Sequence, residues 1–176
     1  MTSEPLVRDV RVGGRPIELA PHHCFACGTL NEHGLHLALH AGGDLCWVEV
    51  TLSSRFQGWE GIAHGGIICT ILDEVMAWAV VEHDIWGVTA RMSVDFRRPV
   101  PIGQPLRAEG RVTRARRRIV DAEGVLIDAR AGDVLATSTG TYVGASDARK
   151  RELKARYGFT MPDELTTPDS VDDTPV

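Results

Sequence analysis

The stretch GIAHGGIICTILDE, residues 61–74, decides the fold because it opens the longest helical pattern of the chain. From Gly65 to about Glu82, apolar side chains cover most of a helix surface. A helix that is apolar on nearly all sides must be wrapped by other elements. It has one polar stripe, spaced i, i+3, i+4, i+7, which consists of Thr70, Asp73, Glu74 and Ala77.

Alternating polar and apolar residues, typical of strands, surround this helix on both sides. Two such runs, 35–41 and 45–52, precede it and are joined by a glycine-rich turn, which predicts a β-hairpin. Four longer runs follow it, at 88–100, 104–118, 119–131 and 134–145. The order favours an α+β fold in which one long central helix is wrapped by a curved antiparallel sheet.

The chain of 176 residues fits a single main domain with short flanking parts. The boundaries we predict are an N-terminal arm at 1–21, the main domain at 22–145, a helix at 146–158 with Ser146 as its N-cap, and an acidic, disordered tail at 159–176. The arm is expected to be extended or a hairpin.

The net charge of −5 comes from the C-terminal end of the chain. Residues 161–176 hold five of the 24 acidic residues and no basic one, so the remainder carries 19 charges of each sign. A neutral body argues against a nucleic-acid partner. The longest apolar run, around 75–81, is too short for a membrane span, and no signal peptide is recognised. We therefore expect a cytoplasmic protein with reduced cysteines and no membrane partner.

Several ordered motifs resemble those of the hotdog-fold acyl-CoA thioesterases of the PaaI-like kind. They are G-x-x-H-G-G-x-x-x-T-x-L-D-E at 61–74, TARMSVDFRRPVPIG at 89–103 and the leader CFACG at 24–28 followed by HGLHL. The resemblance covers roughly residues 22–145. It implies a hotdog fold, a thioester hydrolase that cleaves acyl-CoA, and a side-by-side homodimer often assembled into a homotetramer.

The resemblance also implies roles for individual residues. The Gly65 amide, next to Gly66 at a helix start, would polarise the thioester carbonyl, and His64 would orient the acyl group or assist the leaving thiolate. Asp73 would activate water as general base or attack as nucleophile, with Thr89 holding the water. Some relatives carry Asn or Gln six or seven residues before the histidine; here Gln57 is the candidate substitute. Glu74 falls outside the matching spacing and is expected to be structural or interfacial.

Spacing alone separates the two candidate catalytic residues. Asp73 follows His64 by nine residues, which on a helix is about 13 Å and two and a half turns. Both cannot reach one substrate carbon within a single chain. If both act on one thioester, a twofold dimer with two composite sites is the natural arrangement.

The leader contains potential metal ligands, namely His22, His23, Cys24, Cys27 and His33. Because no second C-x-x-C follows and Cys46 and Cys69 lie in a predicted strand and helix, a packed leader near the site mouth is preferred over structural zinc. The sequence thus predicts no metal and no cofactor apart from the coenzyme A that is part of the substrate.

Three functions stay open at this point. The leading one is acyl-CoA hydrolysis, with Arg97 and Arg98 and the arginines at 114–118 as candidate contacts for the phosphates of coenzyme A. The alternatives are a hotdog-fold acyl-thioester dehydratase or hydratase and a non-catalytic acyl-CoA-binding protein.

Overall fold

The computed structural model describes residues 11–12, 15–16 and 20–157. Two very short strands pair antiparallel in the N-terminal arm, which matches the hairpin alternative. A 3-10 turn at Ser54–Phe56 precedes the long helix. The elements in chain order are β1 (Arg11–Val12), β2 (Arg15–Pro16), β3 (Leu39–Gly42), β4 (Leu45–Thr51), α1 (Gly65–Glu82), β5 (Gly87–Phe96), β6 (Pro105–Arg116), β7 (Ile119–Asp128), β8 (Val134–Gly144) and α2 (Asp147–Arg156).

One antiparallel sheet of six strands, in the order β3-β4-β6-β7-β8-β5, packs against α1. The inner face of the sheet and most of the helix surface form the core. Ile68, Ile71, Leu72 and Val75 of the helix are at most 1% exposed. This confirms the predicted fold class, a central helix enclosed by one antiparallel sheet, and the predicted helix bounds.

The hairpin before the helix starts later than its alternation predicts. Strand β3 begins at Leu39, whereas the pattern extends from residue 35. Residues 35–38 are held by the leader, since the Leu35 and Leu37 amides donate to the carbonyl oxygens of Phe25 and Ala26 at 2.8 and 2.9 Å. His36, between them, has a φ of 50°, which interrupts an extended strand.

Strand β5 forms one edge of the sheet and pairs with β8. Most of its side chains are exposed, including those of Val88 (72%) and Phe96 (54%). Its register shifts between Thr89 and Arg91, which marks a bulge. Long, apolar, exposed edge strands are favourable places for pairing with another chain.

Helix α2 closes the described part of the chain. Ser146 caps it, since its side chain accepts from the Arg149 amide, as the sequence predicts. The Tyr157 carbonyl at the far end accepts from the Ala20 amide at 3.2 Å, so α2 ends beside the leader. The predicted disorder of the tail falls outside the described residues, and the predicted domain boundaries stay predictions. No helix among the described residues is long and apolar enough to cross a membrane.

Candidate active site

His64 is the N-cap of α1 and folds back over the first turn of the helix. Its backbone is extended (φ −66°, ψ 133°), and its Nδ1 accepts a hydrogen bond from the Gly66 amide at 2.9 Å. A nitrogen that accepts from an amide carries no proton, so the neutral ring in this arrangement has its proton on Nε2. The ring can therefore offer a donor at Nε2 to a ligand.

The two glycines after His64 differ in what their amides do. The Gly66 amide is occupied by the imidazole, and a Cβ at Gly66 would lie only 3.0 Å from Nδ1, so a side chain there would displace the ring. The Gly65 amide is the first of the helix, and no acceptor for it is found among residues 20–157. It lies at the positive end of the helix dipole, where a partial negative charge is favoured.

An open pocket of about 530 Å³ lies against His64. Gln57 lines it, as expected for a residue close to His64, and its Oε1 accepts from the Gly61 amide at 3.2 Å. Asp73 is not part of its wall. The lining residues come from the leader, the 3-10 turn and the start of α1: Phe25, His33, Arg55, Phe56, Gln57, His64, Gly66 and Ile67.

Asp73 lies in a separate group built by α1, β5 and β8. Its Oδ1 accepts from the Thr89 hydroxyl at 2.8 Å and from the Tyr142 hydroxyl at 2.9 Å. Thr89 and Tyr142 are cross-strand partners on β5 and β8. The bulge that follows Thr89 alters the local direction of the strand next to this contact. Two donors on one oxygen fix the carboxylate and leave Oδ2 as its second acceptor.

Tyr142 is the residue of this group that the sequence reasoning missed. It lies in β8 as one inward position of an ordinary alternating strand, and it is only 2% exposed. Burial, followed by the charge of Asp73, raises the pKa of its hydroxyl well above the ordinary value, so it remains a hydrogen-bond donor at any physiological pH. Its 69-residue distance from Asp73 in sequence leaves no local signal for the contact.

The continuity of α1 keeps His64 and Asp73 apart. The helix runs unbroken from Gly65 to Glu82, so Asp73 is about 13 Å along the axis from the cap and on the opposite side of the helix. The structure brings Thr89 to Asp73 and brings Gln57 and Gly66 to His64. Within one chain it does not bring the two groups together.

Glu74 faces away from the Asp73 group. Its Oε1 accepts from the Trp78 indole at 2.9 Å, and its carboxylate contacts the Cys27 thiol of the leader. Burial raises the pKa of Glu74 to about 7, and the nearby Cys24 adds to the shift. Although Asp73 and Glu74 are adjacent in sequence, Asp73 contacts residues of the sheet, whereas Glu74 contacts Trp78 and the leader.

The candidate arginines lie outside the wall of the His64 pocket. Arg97 and Arg98 follow β5, and both of their amides donate to the Leu135 carbonyl. The Arg98 guanidinium forms an ion pair with Asp133. In the β6–β7 hairpin, the Arg118 Nε donates to the Gly144 carbonyl at 2.7 Å.

Residues 60–144 match the family model of the thioesterase superfamily. No curated protein is similar enough to the sequence to count as a match. Many solved structures are similar to the chain. One of them is a thioesterase superfamily protein with 29% identity and a TM-score of 0.65, where the alignment covers 69% of this chain and 60% of that one. This chain therefore spans less than two thirds of that protein.

Two further structures show the fold at lower identity. The PaaI protein from the phenylacetic acid degradation operon of Escherichia coli has 18% identity and a TM-score of 0.60, with 64% of this chain and 81% of that chain covered. A Streptococcus mutans protein bound to acetyl CoA has 18% identity and a TM-score of 0.60, with 68% and 98% covered. The fold is the hotdog fold, as the resemblance implied.

Proposed function

We propose that this chain, whose residues 60–144 match the family model of the thioesterase superfamily, hydrolyses an acyl-CoA thioester to a free carboxylic acid and coenzyme A, in composite sites at a homodimer interface. The observation that carries this proposal is that α1 holds two different kinds of functional group at two places along its length. One end of the helix offers an amide and an imidazole donor, while its middle holds an ordered carboxylate. Thioester hydrolysis needs both kinds of group at one carbon.

The exposed edge strand β5 supports a specific dimer. Thr89 near its start contacts Asp73, and Phe96 at its end packs against Gly65, since a Cβ at Gly65 would lie 3.4 Å from the phenyl ring. In a twofold antiparallel pairing of two β5 strands, the start of one strand lies opposite the end of the other. Such pairing would carry the Asp73 of one protomer towards the His64 pocket of its partner.

The reaction then follows from the groups that meet. Asp73, with Oδ1 occupied by two donors, takes a proton from water at its other oxygen, and the resulting hydroxide adds to the thioester carbon. The carbonyl oxygen becomes negative and is stabilised by the Gly65 amide of the partner protomer. When the carbonyl re-forms, the C–S bond breaks and the His64 Nε2–H of the partner protomer stabilises the departing thiolate. The proton held by Asp73 then passes through solvent to the thiolate, which regenerates the carboxylate.

The choice of a coenzyme A thioester rests on the resemblance and on the acetyl CoA bound to the similar Streptococcus mutans protein. The His64 pocket joins aromatic side chains, Phe25 and Phe56, to polar ones, among them Arg55. Arg55 lies 5.0 Å above the Phe56 ring. A wall of this kind suits a ligand with an apolar acyl group and an anionic carrier.

Release of free thiol from a panel of acyl-CoAs, aliphatic and aromatic, tests the activity. Turnover that disappears in Asp73→Asn supports the proposal. Hydration or dehydration of an enoyl or hydroxyacyl thioester without thiol release would instead select the dehydratase class. Saturable binding without any turnover would select a binding protein.

A further inference from the structure

The leader before β3 contains a compact cluster of two cysteines and one histidine. Among the described residues, a ring nitrogen of His22 and the Sγ atoms of Cys24 and Cys27 all lie within 4.8 Å of one another. In a tetrahedral zinc site with bonds of about 2.0–2.3 Å, neighbouring ligand atoms are about 3.3–3.8 Å apart. A movement of about 1 Å would thus bring these three atoms to metal-binding separation.

His22 is oriented as a ligand. Its Nδ1 lies 3.0 Å from the Ala20 carbonyl oxygen, and its Nε2 lies 3.4 Å from Cys27 Sγ. A donor at Nδ1 fixes the tautomer whose lone pair is on Nε2, which is the arrangement commonly found for metal-bound histidines. The Tyr157 ring contacts the imidazole edge-on at 5.9 Å between centroids, and the Tyr157 carbonyl holds the Ala20 amide.

The turn that joins the two cysteines directs backbone amides at a sulfur. The amides of Ala26 and Cys27 donate to Cys24 Sγ, and the Gly28 amide donates to the Cys24 carbonyl at 2.9 Å. A Cβ at Gly28 would lie 2.4 Å from both the Cys24 nitrogen and the His22 carbonyl oxygen, so this tight turn requires glycine. A hydrogen bond from the Cys27 thiol, supported by these amides, lowers the pKa of Cys24 to about 5.

Glu74 of α1 lies beside this group of three without belonging to it, and its carboxylate is the candidate for a fourth ligand. Its carboxylate contacts the Cys27 thiol, and its orientation is fixed by the Trp78 indole. A buried carboxylate beside two thiols is costly unless a cation or proton neutralises it. Two sulfurs, one imidazole nitrogen and one carboxylate oxygen form a ligand set that suits Zn²⁺.

We propose that His22, Cys24 and Cys27 bind one Zn²⁺ through Nε2 and two thiolates, with Glu74 as the fourth ligand. Both sulfurs bind the ion as thiolates, so any thiol proton still present is released to solvent, and no electron transfer is involved. A Cys24–Cys27 disulfide is the competing use of the same turn. A disulfide would not account for the orientation of His22 or for the position of Glu74 next to Cys27. A bound metal accounts for both and is therefore favoured.

The metal would join the leader to the helix that carries both candidate catalytic groups. Phe25, between the two cysteines, and His33 line the His64 pocket. The Phe25 and Ala26 carbonyls also hold residues 35 and 37 ahead of β3. The zinc site thus has a structural role, which is to hold the leader wall of the pocket against α1.

Elemental analysis of the full chain, purified without a metal-affinity step and without chelator, tests the proposal. We expect about one zinc per chain. His22→Ala, Cys24→Ser and Cys27→Ser should each lose most of it, while the matched controls His23→Ala and Cys69→Ser should keep it, since His23 is exposed and Cys69 lies in α1. Zinc well below one per chain in reduced protein supplied with Zn²⁺, or retention of zinc by both cysteine variants, would overturn the site.

A second measurement keeps the test valid if a cysteine variant fails to fold. Cobalt added to reduced, metal-free wild-type protein should give the thiolate charge-transfer absorption of a tetrahedral Co²⁺ site. Thermal stability should fall on chelation and return with Zn²⁺. If the protein contains a Cys24–Cys27 disulfide and binds no metal after this disulfide is reduced, the result would favour the disulfide over the zinc site.

The role of Glu74 is tested separately. Competition with a chelator should show at least a tenfold weaker zinc affinity for Glu74→Gln than for the wild type. An unchanged affinity would remove Glu74 from the ligand set.

Discussion

The start and the middle of α1 differ in how their functional groups are held. At the start, His64 bonds to an amide two residues away and faces an open pocket. In the middle, Asp73 is held by side chains 16 and 69 residues away, on two neighbouring strands. His64, which is held by a neighbouring amide, faces a pocket that a ligand can enter. Asp73, which is held by residues distant in sequence, has a fixed orientation. Substitutions at the start and in the middle of α1 should therefore differ in their kinetic effects.

The largest effect is expected from removing the charge in the middle of the helix. Asp73→Asn retains an oxygen that can accept from Thr89 and Tyr142 but cannot take a proton from water. We expect kcat for acyl-CoA hydrolysis to fall by about 10²–10⁴-fold with little change in thermal stability. Asp44→Asn, in the exposed β3–β4 turn, is the matched control. A kcat equal to that of the wild type would contradict the role of Asp73.

Removing the imidazole at the start of the helix is the next largest change. His64→Ala deletes the Nε2 donor but leaves the Gly65 amide, so we expect kcat/KM to fall by about 10–10²-fold. Steady-state thiol release measures it, with His23→Ala as control. If His64 only capped the helix, the variant would lose stability without a selective loss of kcat/KM.

Tyr142→Phe tests the long-range support of the carboxylate. It removes one donor to Asp73 Oδ1 while keeping the ring in the core. One hydrogen bond of about 1 kcal/mol corresponds to a decrease of about fivefold in kcat. Urea unfolding should show a comparable loss of stability. A stability loss with unchanged kcat would mean that Tyr142 serves the core and not the carboxylate.

The smallest effect concerns the C-terminal end of α1, away from both groups. Burial would raise the pKa of Asp84, but Lys150 and Lys154 of α2 outweigh it and the pKa is lowered. A lowered carboxyl pKa stabilises the fold above the unfolded-state pKa of about 4, and this stabilisation is lost as the pH falls through the folded-state value.

We therefore expect Asp84→Asn to lower the free energy of unfolding at pH 7 by at most about 1 kcal/mol and to leave kcat unchanged. Asparagine tolerates the local φ of 57°, so backbone strain is not introduced. Denaturation at several pH values checks this, because the difference from the wild type should shrink towards acidic pH. A constant difference would mean that the ion pairs are not its source.

Much of the fold could be predicted from the sequence because its signals are local. The bounds of α1 follow from the apolar surface between His64 and Glu82, and the strands after it follow from alternation and glycine turns. The late start of β3 could not be predicted. It depends on hydrogen bonds from the leader to residues 35 and 37, which do not alter the alternating pattern.

The candidate site also has a part that could be predicted from local sequence signals and a part that could not. His64, Gly65 and Asp73 share one motif, and their separation follows from helix geometry alone. Tyr142 is absent from every motif and is identified only when β8 is placed beside α1. Likewise, the position of His22 next to Cys27 depends on the folded turn and on Tyr157, which explains why the sequence alone favoured a leader without metal.

Complementation between two impaired chains tests the composite site most directly. In a heterodimer of His64→Ala and Asp73→Asn chains, one site combines both defects and the other combines both intact residues. Random exchange of equal amounts should therefore give about a quarter of wild-type activity, and isolated heterodimers about half. Mass spectrometry under native conditions confirms that heterodimers form. Activity no higher than the sum of the two parents in confirmed heterodimers would contradict the account.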